Sequence, residues 1–156
     1  MAKAFAAKLM EVTERHARDI AENWCRDVVR NPRTPSYHGI SRDKLTAQAM
    51  EFYDNFSRMF LSPKPYREEE QYFTRYAEFS FRDNIPMHEA LYALILMRRH
   101  IWLYAEFQAI FVTSAEQQQA VESLSRTILM FDYAMFVITR KYQELSKLSW
   151  FETPNT

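Results

Sequence analysis

Four histidines, one cysteine and two opposite charges set among apolar residues are the side chains of this 156-residue sequence best suited to chemistry. His100 stands on an apolar stripe with Leu96, Leu103 and Phe107, a setting that a haem-ligating histidine on a helix can have. The commoner role for a lone histidine on an apolar face is a partly buried core residue with a polar partner. Haem is therefore the alternative cofactor, and none is the primary expectation. His16 sits in the first helical segment, His38 in a loop with Pro35 and Gly39, and His88 in the first turn of a later segment. Di-metal carboxylate bundles need a glutamate three residues before a histidine on the same helix face. Those positions hold Thr13, Pro35, Ile85 and Met97, so that site is absent. His88-Glu89 opens like a zinc-protease motif, but Tyr92 stands where the second histidine belongs.

Arg98 lies near the middle of a broad apolar arc, and Asp132 is the only charge between Ile128 and Ile138. Burying either alone is expensive, so the two are expected to pair across neighbouring helices, with Glu78 as the alternative acid. An ion pair that fixes helix register is the commoner role for such a couple, and ligand recognition the rarer one. Cys25 has no partner for a disulfide and reads as a buried thiol. The band Tyr72, Phe73, Tyr76, Phe79 and Phe81 reads as core packing more readily than as a pocket lining.

The single glycine, Gly39, excludes the glycine-rich loops that cradle phosphates and the strained glycine-flanked elbow of many nucleophilic serines. No nucleophile, base and oxyanion donor can be assembled, so no enzyme is expected. Twenty basic and twenty acidic residues cancel, which removes the field that recruits nucleic acid or anionic lipid. The first ten residues carry no apolar signal region, and no run reaches the roughly 18 apolar residues of a membrane span. A cytoplasmic protein is the expectation.

The elements that must position these residues are helical. Pro32, Pro35, Pro63, Pro65 and Pro86 mark boundaries between segments of 3.6-residue periodicity. The segments run from about Ala4 to Arg30, Ser41 to Phe60, Arg67 to Arg82 and Met87 to Val112. A fifth has no Pro or Gly from about residue 114 to 149, with Ser114 and Gln117 as its capping box. Along that helix Val121, Leu124, Ile128, Phe131, Met135, Ile138, Tyr142 and Leu145 repeat at steps of three and four. That is the pattern of a seam laid against a partner, here a second copy of the chain. Residues 1–156 are thus expected to form one all-α bundle of about five main helices. Its C-terminal helix is expected to serve as the dimerisation and output element.

Several stretches together carry a family resemblance: Glu22-Asn23-Trp24, the loop with Pro32 and Pro35, the helix from Ser41 to Phe60, and Arg82-Asp83-Asn84-Ile85-Pro86-Met87-His88-Glu89-Ala90 leading into Leu91–Trp102 with Arg98 and Arg99. The series resembles the RsbR N-terminal domain family, globin-like sensory domains of stressosome proteins and some histidine kinases. The resemblance implies that the bundle is globin-like and that the chain is a dimeric, usually haem-free sensor of bacterial signal transduction. Such a sensor would pass its stimulus through the last helix to a STAS or kinase domain.

Overall fold

The computed structural model describes residues 2–61, 63, 64, 66–107 and 113–152. Among them there is no strand. Seven α-helices follow one another: α1 (Ala2–Arg15), α2 (Ala17–Val28), α3 (Arg42–Asp54), α4 (Phe56–Phe60), α5 (Arg67–Arg82), α6 (Met87–Phe107) and α7 (Ser114–Glu152). A 3-10 turn over Pro35–Tyr37 lies between α2 and α3. They pack as an all-α helical bundle whose last helix is by far the longest.

Two expected helices are each divided, although neither division carries Pro or Gly. At Asn55 the side-chain amide takes the Glu51 carbonyl at 2.8 Å, and the Asn55 backbone N–H turns to Phe52 instead. A short polar side chain has displaced the ordinary i−4 bond and separated α3 from α4. At His16 the backbone bonds His16 N–H to Val12 and Ile20 N–H to His16 persist at 3.0 Å, so the chain bends without breaking. Thr13 contributes by donating its hydroxyl to the Leu9 carbonyl at 2.7 Å inside the core. The expected last turn of the fourth segment, through Val112, falls outside the described residues, as does the Phe107 side chain.

The helix ends follow local chemistry. The Ser41 hydroxyl accepts from the Lys44 N–H and starts α3 as expected. Asn84, with φ of 59°, ends α5 in the left-handed conformation. Its N–H reaches the Phe81 carbonyl, and the Ile85 N–H reaches Ser80 at 2.9 Å, the paired bonds of a Schellman stop. For α7 the reciprocal cap lies one residue earlier than Ser114–Gln117. Thr113 Oγ1 accepts from the Glu116 N–H at 3.1 Å, and Glu116 Oε2 accepts from the Thr113 N–H at 3.0 Å.

Helix α6 is the axle of the bundle. Ala90, Ala93, Leu94, Leu96, Met97, Ile101 and Ala105 are buried. Three rings from surrounding helices donate to its backbone: Tyr76 to the Ala90 carbonyl (2.8 Å), Trp24 to Ala93 (2.9 Å) and Tyr53 to Met97 (2.9 Å). Positions 90, 93 and 97 lie on one face, and two of them are alanines, so large rings can come close enough for their polar ends to find acceptors. Above this face Phe52 meets Tyr53, Phe56, Tyr72, Phe73 and Phe131 at centroid distances of 5.3–6.0 Å. The expected aromatic band is thus mostly core: Tyr72, Phe73 and Tyr76 are buried and Phe81 is half-buried, while Phe79 is exposed.

Candidate functional site

The 39 residues of α7 are unbroken and, at 1.5 Å per residue, span about 58 Å. Its expected seam is divided between two environments. Phe131, Ile138 and Tyr142 are buried in the chain's own core, and Met135 and Leu145 are half-buried. Val121, Leu124 and Ile128 point outward. The face that packs inward is Ser123, Thr127, Met130, Phe131, Ala134, Val137, Ile138 and Tyr142, which also steps by three and four. Sequence reasoning missed Ser123 and Thr127 because it selected for apolar side chains. A threonine can be buried at low cost when its hydroxyl is satisfied locally, and Thr127 Oγ1 donates to the Ser123 carbonyl at 2.7 Å.

Of the ten large apolar residues left exposed among the described residues, six lie on α7: Val121, Leu124, Ile128, Leu129, Phe136 and Leu148. Val121 is 64% exposed, Leu129 68% and Phe136 56%. At 100° per residue, Val121, Leu124, Ile128 and Met135 fall within an arc of roughly 60° and extend over about 21 Å. Leu129 and Phe136 form a second, parallel stripe, separated from the first by Ser125 and Asp132.

The expected ion pair does not form: among the described residues no ion pair or hydrogen bond joins Arg98 to Asp132. Asp132 is exposed, so solvent removes the desolvation cost that called for a partner. Arg98 is half-buried, with its guanidinium over the Phe131 ring at 5.9 Å. Glu78, the alternative acid, pairs with Lys141 at 3.5 Å.

His100 Nε2 lies 2.8 Å from Asp27 Oδ2, and Asn31 donates to the other oxygen of Asp27 at 3.1 Å. The pair ties α6 to α2, which gives His100 the role of a partly buried residue with a polar partner. Further along the same junction His16 packs on Tyr104 at 5.1 Å. Glu89, only 3% exposed, accepts from the Ser36 N–H (2.8 Å) and hydroxyl (2.6 Å), anchoring the 3-10 turn to α6. Tyr37 reaches Tyr76 at 3.5 Å, and Tyr142 donates to the Ile85 carbonyl at 2.8 Å. Burial pushes Tyr142 up to about 12 and likewise raises Tyr37, Tyr53, Tyr72 and Tyr76. These groups hold helices together. Cys25 is buried, as expected.

A groove of about 750 Å³ lies between the turn after α4, the start of α5 and the middle of α7. Its lining is Phe60, Leu61, Pro63, Lys64, Tyr66, Glu69, Arg126, Leu129, Met130 and Tyr133. A smaller cleft of about 220 Å³ between α3 and the end of α5 is spanned by the Lys44–Asp83 ion pair at 2.7 Å. Among the described residues no group of three or more His, Cys, Asp or Glu could hold a metal, and no helix is long and apolar enough to cross a membrane.

No family profile, curated protein or solved structure matches the chain. The functional reading therefore stands on the geometry and on the resemblance of the motif residues.

Proposed function

We propose that the chain is a non-enzymatic sensory and interaction module of bacterial signal transduction, acting in the cytoplasm. It dimerises through the outer face of α7 and relays a stimulus along that helix to a downstream partner of the STAS or kinase type. One observation carries the reading: an unbroken helix of 39 residues keeps Val121, Leu124 and Ile128 exposed at heptad spacing while an adjoining face serves the core. Clustered apolar side chains on the surface of a folded domain mark interaction sites more often than isolated ones do. A three-four stripe is best matched by another helix with the same spacing, and the simplest such helix is the same one related by a two-fold axis. The resemblance to the RsbR N-terminal domain family supplies the signalling context. A relay also needs two arrangements of α7 whose balance the stimulus shifts.

The test uses positions that the core does not need. Val121→Glu and Ile128→Glu together should convert a dimer to a monomer in light scattering, with helical circular dichroism unchanged. A wild-type chain that stays monomeric at high micromolar concentration, or a variant that stays dimeric, refutes the interface. Phe131 and Ile138 cannot serve here, because both are fully buried within one chain.

A further inference from the structure

The groove beside α7 has the size and character of a small-molecule site. Its volume of about 750 Å³ falls in the usual range for ligand clefts, and its walls are mainly apolar. Phe60, Leu129 and Met130 form much of the lining, and Tyr66 and Tyr133 stand together at 5.3 Å between ring centroids. Its polar groups are unequal. Glu69 is 3% exposed and already has an interaction of its own. Arg126 is half-buried, and among the described residues it makes no ion pair and no hydrogen bond. Lys64, on the opposite wall, is exposed and likewise has no ion pair among the described residues. The charges of this groove that remain unmatched are therefore both cationic, and they border an apolar floor.

We propose that the groove binds a small amphipathic organic anion, a carboxylate carried on an apolar or aromatic body. The carboxylate meets the Arg126 guanidinium, whose planar donor fork suits two oxygens at once, while Lys64 adds charge at the rim. The apolar body lies along Phe60, Met130 and the tyrosine pair. This rests on the relay reading in one respect only, namely what occupancy achieves. Arg126, Leu129, Met130 and Tyr133 lie on the same turns of α7 that present Ile128 outward, so a filled groove bears directly on the docking stripe.

The experiment is calorimetric titration of the purified full chain with octanoate, and with octanol, octylamine and acetate as arms that vary the head group and the tail. Two variants accompany it: Arg126→Met, which removes the charge at similar length, and Leu129→Trp, which fills the groove from an exposed position. Saturable binding of one octanoate per chain is expected. Losing one charge-assisted contact should weaken it about tenfold or more, both in Arg126→Met and for octanol. Octylamine and acetate should not bind measurably, and Leu129→Trp should lower octanoate affinity. Octylamine binding as well as octanoate, an Arg126→Met titration identical to wild type, or no saturable octanoate binding each overturns the proposal. The titration reads binding in a monomer or a dimer alike. A monomeric chain that binds octanoate through Arg126 sinks the dimer and upholds the groove, whereas a dimer that binds none does the reverse.

Discussion

Replacing Phe131 by Ala and, separately, Val121 by Ala tests which face of α7 belongs to the core. Both residues stand on the same stripe of the sequence pattern, yet Phe131 has no exposed surface and Val121 is 64% exposed. Phe131 meets Phe52 edge to face at 5.6 Å and lies under the Arg98 guanidinium. Truncating such a buried ring costs about 3–5 kcal/mol, from lost burial together with the cavity left behind. For 156 residues the whole stability should be roughly 8–23 kcal/mol, so this is a large share of it. With a urea slope of about 2 kcal/mol per molar, the unfolding midpoint should fall by about 2 M. Val121→Ala should change stability by no more than about 0.5 kcal/mol in dilute solution. Any larger effect should grow with protein concentration, as expected for a side chain buried only in a dimer. Urea titration followed by circular dichroism at two protein concentrations reads both quantities. A Phe131→Ala cost under about 1 kcal/mol, or a concentration-independent loss of several kcal/mol in Val121→Ala, would refute the face assignment.

Thr113→Ala should destabilise the chain by about 0.5–2 kcal/mol through loss of the α7 cap, and Ser114→Ala should do much less; thermal melts of the two separate the caps. Asn84→Gly should be neutral or slightly stabilising and Asn84→Ala destabilising by about 1 kcal/mol, because the residue has φ of 59°; denaturant midpoints decide it. In alkali, the folded chain holds the Tyr142 proton up to about 12, mainly because burial disfavours the phenolate, whereas the unfolded chain releases it near 10.0. The stability this contributes is complete below pH 10.0 and is lost as pH rises to about 12. Phenolate absorbance should therefore rise late and together with loss of helical signal, and a smooth early titration of every tyrosine would contradict it.

Helix content, the unbroken rod of α7 and the start of α3 at Ser41 were legible in the residues because each depends on neighbours a few positions away. Which face of α7 turns inward was not legible. Two stripes on that helix repeat at steps of three and four, and the one containing Ser123 and Thr127 wins. Thr127 satisfies its hydroxyl on the helix itself, and the small side chains let neighbouring helices approach. The partners of Arg98, Asp132 and His100 were equally hidden, since charge pairing depends on which side chains meet across more than 30 residues of chain. Asp27 reaches His100 across 73 residues, while Asp132 remains in water. Local geometry is written along the chain; exposure and pairing arise only when helices close on one another, and closure decides what is buried and what is left to bind.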